Sequence, residues 1–143
     1  MQLSGNPRED IAYEVRGTFR AFANALITEL ADADISVGFF HILRISWPES
    51  GRTQKDIAEL AFMTPSVASQ QIQKMCAIGL LHRQTDSDDT RKKIVKLTKM
   101  GREKKRGLVN AMLDIPRSAS EDVSTEDLQT TLDVLSKLRT NLK

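Results

Sequence analysis

Residues Leu80–Gly101 read LLHRQTDSDDTRKKIVKLTKMG. Two short strand-like runs, Leu80–Thr85 and Lys92–Leu97, flank a polar turn. The turn carries Asp86, Asp88 and Asp89, and then Arg91, Lys92 and Lys93 follow in a row. This pattern predicts a β-hairpin whose tip is charged rather than buried. A helical segment with its own start signals leads directly into it. Helix, hairpin and basic charge in that order make a layout suited to reading DNA.

Working upstream, Thr53 opens a short helix to Phe62. Its hydroxyl can accept from the Asp56 N–H while Asp56 reaches back, a short form of the capping box. Thr64 caps a second helix to Ile78, and Pro65 takes the first helical position, where a missing N–H costs nothing. Ala68, Ile72, Met75 and Gly79 form one stripe of the second helix, and Gly79 also serves as its stop. Two short helices joined through Met63 are a helix-turn-helix pattern, whose second helix enters the major groove. The opposite face of that helix offers Ser66, Ser69, Gln70, Gln73 and Lys74. Serine can bond to any base, glutamine can pair bidentately with adenine, and Lys74 suits a phosphate. Solvated surface residues would look the same. The segment Thr64–Thr85, however, contains no Asp or Glu.

A strand pair after the second helix makes the motif a winged helix. Its tip can reach the adjacent minor groove, whose negative potential in A·T-rich DNA favours arginine. Arg91 is the candidate for insertion, and Asp89 can fix its guanidinium. An exposed ion pair of little energetic consequence is the competing reading.

Charge is unevenly distributed. The whole chain has 21 Lys/Arg and 19 Asp/Glu in 143 residues. From Arg52 to Arg106 there are thirteen Lys/Arg and six Asp/Glu, so this segment is basic and its flanks are acidic. Nucleic acid or a solvated face both fit such a segment. One cysteine, Cys76, excludes an internal disulfide and a cysteine metal cluster, which fits an intracellular chain. The N-terminal MQLSGNPRED has no apolar stretch that would make a signal peptide. No apolar run approaches the ~18 residues of a membrane span. The expected location is cytoplasmic, with no membrane partner.

Outside the motif, Ile11, Val15, Phe19, Phe22, Leu26, Leu30 and Ala33 recur at helical steps, which predicts one long amphipathic helix from Pro7. Ser36 can cap a second helix through Ile45, ended by Pro48 and Gly51. After the hairpin, Thr98 caps a helix to about Leu113. Pro116 and a Ser-rich link follow, and Thr125 starts a last helix. There Leu128, Leu132, Leu135, Leu138 and Leu142 form a narrow stripe close to a coiled-coil seam. The expected fold class is mainly α with a small β-hairpin (α+β), a winged helix-turn-helix core with helices on both sides.

These residues resemble the MarR family of bacterial transcriptional regulators. The resemblance runs from about Ile35 to Gly101. It rests on the Ser36 helix start, Thr53-Gln54 followed by Ile57-Ala58, and the helix before Gly79-Leu80-Leu81. Asp89-Thr90-Arg91 and Leu97-Thr98 with Gly101 complete it. It implies a homodimer that binds a pseudo-palindromic operator as a transcriptional repressor and lets go when a small-molecule effector binds or a thiol oxidises. On this view residues 1–34 and 99–143 are dimerisation helices around a DNA-binding domain at 35–98. Ile11, Val15, Leu128, Leu132, Leu135 and Leu138 then form the dimer interface. Thr64, Pro65, Ser66, Ser69, Gln70, Gln73, Lys74, Asp89, Arg91 and Lys92 face double-stranded DNA. Arg91 becomes the minor-groove residue and Asp89 its positioning partner. One departure from the family is that Ser69-Gln70 replaces a frequent Thr-Arg, which removes a common contact arginine.

His41, Arg44 and Trp47 lie near where such regulators have a ligand cleft. An arginine among aromatics would suit a small aromatic or anionic effector, although aromatics at helical spacing are commonly core. Cys76 is expected to be a half-buried structural cysteine. His41 and His82 lack neighbouring ligands, so neither a metal site nor a cofactor is expected. There is no Gly-rich phosphate loop, nucleophile elbow or HExxH motif, which argues against an enzyme. The competing functions are a winged helix that binds a protein partner and a DNA-binding protein without sequence preference.

Overall fold

The computed structural model describes residues 4–143. The Asn6 side chain accepts from the Arg8 N–H, and Pro7 begins α1 (Pro7–Leu30). Ser36 Oγ accepts from the Phe39 N–H at 3.1 Å and starts α2 (Val37–Leu43). This helix stops short of Ile45. Its carbonyl at Ile42, one of those left over at a helix end, instead accepts from Trp47 Nε1 at 3.1 Å.

Next come β1 (Arg52–Thr53), α3 (Gln54–Leu60), α4 (Pro65–Ala77), β2 (Leu81–Thr85) and β3 (Lys93–Leu97). Thr53 Oγ1 accepts from the Asp56 N–H at 3.1 Å, and Thr64 Oγ1 accepts from the Val67 N–H at 3.2 Å. The return bond expected from Asp56 is not formed. Its side chain is one methylene shorter than the glutamate that closes a capping box. Between the two helices Phe62 takes φ 53°, a left-handed conformation costly for a bulky residue.

The sheet has three strands in the order β1-β3-β2, all antiparallel, rather than the two-stranded hairpin expected. Strand β1 is two residues long, too short for any periodicity to show. Gly51 makes it possible. Its φ is 84°, and a Cβ there would stand 2.6 Å from Val95 O.

Thr98 Oγ1 accepts from the Gly101 N–H at 3.0 Å and starts α5 (Lys99–Gly107). The helix expected to run to Leu113 breaks at Leu108. It resumes as α6 (Val109–Ala119), which passes through Pro116 instead of ending before it. Gly107 weakens the helix at the break, and the turn lets Leu108 bury itself in the core. Pro116 lacks an N–H and forfeits one helical bond, but its fixed φ suits a helix. Ser124 Oγ accepts from the Asp127 N–H at 3.0 Å at the head of α7 (Thr125–Asn141).

One core joins these parts. Ile42 and Leu43 of α2, Ile57 of α3, Ile72 and Met75 of α4, and Val95 of β3 are fully buried. Leu26 and Leu30 of α1 and Ala111 of α6 close it on the far side. The rest of the α1 stripe, Ile11, Val15, Phe19 and Phe22, is exposed, and α7 contributes no buried residue.

Candidate nucleic-acid interface

The core sets which way α4 faces. Ala68, Ile72 and Met75 point inward, so Ser66, Gln70, Gln73 and Lys74 lie exposed on the opposite side, with Thr64 and Pro65 exposed at its start. Ser69 is half-buried at the edge of that face. Gln71 belongs to the inner side. It packs over Gly38 of α2, where a Cβ would stand 2.8 Å from its Oε1. The four exposed polar residues are thus presented together on a helix without acidic side chains.

The wing tip is stiffened by its own backbone. The Asp86 N–H donates to Lys92 O at 3.0 Å, and the Lys92 N–H donates to Asp89 O at 3.0 Å. The Asp88 N–H donates to Asp86 Oδ1 at 3.0 Å. Asp89 Oδ1 accepts from the Arg91 N–H at 3.0 Å and from Arg91 Nε at 3.2 Å. These bonds, the side-chain one first, hold the Asp89 carboxyl below the usual carboxylate range, with Lys92 adding to the effect. The Arg91 side chain nevertheless stays 90% exposed, and Lys92 is exposed beside it.

One pairing has no local signal in the sequence. Arg83 Nη1 donates to Gln54 Oε1 at 2.8 Å across 29 positions of chain. Arg83 stands opposite Val95 in the β2–β3 register, as does Arg52 in β1, so both lie on the sheet face that carries the buried valine.

Other cations are occupied with the fold. Lys104 Nζ donates to Ala33 O and Lys105 Nζ to Ile45 O, each at 2.6 Å. Burial lowers the pKa of Lys105. Arg52 Nε donates to Ser46 O at 2.9 Å, and Arg102 Nη1 donates to Leu97 O at 3.2 Å. Part of the basic excess counted in the sequence therefore ties helices and strands together.

His41, Arg44 and Trp47 sit on and just after α2. The His41 ring meets Phe40 edge-on at 5.6 Å, and Arg44 lies 5.9 Å from the Phe40 ring centre. Burial, and then the Arg44 charge, lowers the pKa of His41. Two open clefts of about 470 and 480 Å³ share Asp34, Ile35 and Phe39. The first runs along α1 at Ile27 and Leu30, the second along α5 at Met100 and Lys104. None of His41, Arg44 and Trp47 lines either cleft. Cys76 is half-buried. Burial pushes its thiol pKa up while the nearby Arg83 charge pulls it down.

Of the residues expected at a dimer interface, Ile11, Val15 and Leu132 are exposed, and Leu128, Leu135 and Leu138 are half-buried. No group of side chains able to hold a metal ion occurs among the described residues. No described helix is long and apolar enough to cross a membrane.

Comparison with known proteins bears on this geometry. No curated protein matches the chain. Among solved structures, S. aureus MepR in complex with DNA is 22% identical with a TM-score of 0.79, over 91% of this chain and 96% of that one. A MarR-family transcriptional regulator from Silicibacter pomeroyi is 20% identical with a TM-score of 0.82, over 100% and 97%. Bordetella bronchiseptica BpsR, whose DNA binding is regulated by 6-hydroxynicotinic acid, is 18% identical with a TM-score of 0.78, over 91% and 98%. At these identities the likeness is one of fold, a winged helix-turn-helix between long flanking helices. Residues 35–93 match the model of the MarR family. That match covers the winged helix-turn-helix segment, and in it the chain is similar to the MarR family.

Proposed function

We propose that the chain is a sequence-specific transcriptional repressor that binds a pseudo-palindromic operator as a homodimer and is released by a small-molecule effector. The observation that carries this reading is the pairing of Asp89 with Arg91. It leaves an ordered, exposed guanidinium at the wing tip while α4 presents Ser66, Gln70, Gln73 and Lys74. With α4 in the major groove, Ser66, Ser69, Gln70 and Gln73 select bases, and Thr64, Pro65 and Lys74 meet the backbone. Arg91 enters the minor groove, and Lys92 adds a phosphate contact.

The homodimer reading is supported by the apolar side chains left uncovered. Ile11, Val15, Phe19 and Phe22 are exposed on α1, and none of the α7 leucines is buried. Residues 1–34 and 99–143 would pair with a second copy around DNA-binding residues 35–98. Such a dimer sets two recognition helices about 34–36 Å apart, one turn of DNA. An effector that binds better to a dimer with another spacing releases the operator. The clefts beside Phe39 lie where α1, α2 and α5 meet, and so offer an aromatic or anionic compound a place to act. His41 on α2, and Arg44 and Trp47 just after it, line neither cleft, so a part for them in effector binding is indirect.

The test is footprinting on the DNA upstream of the protein's own gene, repeated over a salt series. The expected result is protection of one pseudo-palindrome with affinity falling steeply as salt rises. Equal binding to all sequences would overturn sequence-specific regulation in favour of a general DNA-binding role. No DNA binding would favour a protein-interaction module.

A further inference from the structure

Between the wing and the helix-turn-helix, three elements converge on one side chain. Arg83 leaves β2 on the sheet face that carries Val95, and its Nη1 is bonded to Gln54 Oε1 at the start of α3. It also lies close enough to α4 for its charge to act on the Cys76 thiol. Among the described residues the ion pairs are Asp89–Arg91 and Asp114–Arg117, so Arg83 has no carboxylate partner. A neutral amide orients the guanidinium without cancelling its charge. The amide is oriented in return. With Oε1 held by Arg83, the amide N–H donors are the part of Gln54 that can meet an anion.

Arg83 is exposed, and Gln54 is half-buried. Four of the five guanidinium N–H donors are unused by the bond to Gln54. In a helix-turn-helix the first helix crosses the DNA backbone while the second enters the groove. Arg83 and Gln54 therefore stand together where α3 meets the wing.

We propose that Arg83 and Gln54 form a contact site for a backbone phosphodiester of DNA, separate from the base-reading face of α4 and from Arg91. The proposal rests on the DNA-binding reading above. A phosphate contact adds affinity and register without sequence preference. Its signature is a counterion released on binding, which a purely structural arginine lacks.

The experiment measures affinity against salt concentration for a random-sequence duplex and for poly(dA–dT). It uses the full chain, Arg83→Met, Arg83→Lys and Gln54→Glu, each checked for folding by thermal melting. For Arg83→Met the expected result is weaker binding to both duplexes by the same factor. The log–log salt slope becomes shallower by about 0.9 for each protomer engaged. Arg83→Lys keeps the parent slope. Gln54→Glu, which sets a carboxylate against Arg83 with that arginine still in place, flattens the slope as well. This second variant keeps the test decisive if Arg83→Met does not fold. A parent slope retained in a folded Arg83→Met or in Gln54→Glu overturns the site. A parent chain that binds neither duplex overturns the DNA-binding reading itself.

Discussion

Asp89 holds Arg91 at three points: its Oδ1 accepts from the Arg91 backbone N–H at 3.0 Å and from Nε at 3.2 Å, and its Oδ2 accepts from Nη2 at 3.5 Å. An exposed pair of this kind adds little to stability, so its effect is on order rather than on folding. A guanidinium already held in place loses less freedom when it enters a groove. Asp89→Ala should therefore weaken binding to the footprinted site by about threefold to tenfold, with an unchanged melting temperature. Arg91→Ala should lower affinity for that site more than affinity for unrelated DNA. Gel-shift titrations that found both variants equal to the parent would remove the wing from the mechanism.

Gly101 touches the main chain of the wing. A Cβ there would stand 2.1 Å from Leu80 O, and that carbonyl is held by the Thr98 N–H at 3.2 Å and Thr98 Oγ1 at 3.1 Å. The carbonyl cannot retreat without losing both bonds. Gly101→Ala is expected to cost about 1–3 kcal/mol or more, as overpacking does. Gly107→Ala provides the control, since nothing lies within 4 Å of the added carbon. That change should be neutral or stabilise by up to about 1 kcal/mol. Urea unfolding should place Gly101→Ala below the parent and Gly107→Ala level with it or above.

If the uncovered apolar stripes meet a second copy, one buried charge should separate the copies. Phe19 on α1 is 72% exposed, and Leu135 is half-buried on α7. Phe19→Asp and Leu135→Asp should each convert a dimer into a monomer with its helical content retained. Sedimentation velocity showing an intact dimer in both would move the interface elsewhere.

His41 gives the fold a sensitivity to mild acid. Burial and Arg44 lower its folded pKa below the ordinary 6.5, so the unfolded chain takes up this proton first. Stability contributed by the neutral ring is complete above about pH 6.5 and is lost as pH falls from there toward the folded pKa. Asp89 acts in a separate, lower window. Because the pair with Arg91 is exposed, its depressed pKa adds only a small stability, present above about 3.8 and lost as pH falls through the folded value. His41→Gln should flatten the stability curve just below pH 6.5 and leave the more acidic limb unchanged. An unchanged slope in that upper window would show that His41 is not the group responsible.

What was legible in the chain was local. Ser36, Thr53, Thr64 and Thr98 each cap a helix, because a hydroxyl needs only the N–H three residues ahead. The Ala68, Ile72 and Met75 stripe became core, which told outside from inside on α4. Asp89 and Arg91 are two residues apart, so their pairing too could be read from spacing. Less was legible where a decision rests on distant chain. Pro116 reads as a helix stop, yet α6 runs through it, and the break falls at Leu108, where the core takes up the side chain.

By itself, then, the sequence determined the helix starts, the helix-turn-helix, the hairpin and the charged tip. Each depends on neighbours within about one turn of helix or one tight turn. Only the tertiary structure decided that β1 joins the sheet and that Lys104 and Lys105 hold carbonyls of other elements. It also set Arg83 against Gln54 and left the apolar face of α1 from Ile11 to Phe22 uncovered. These outcomes join or separate residues far apart in the chain. The same apolar or basic residue can be core, brace or contact surface, and packing alone determines which.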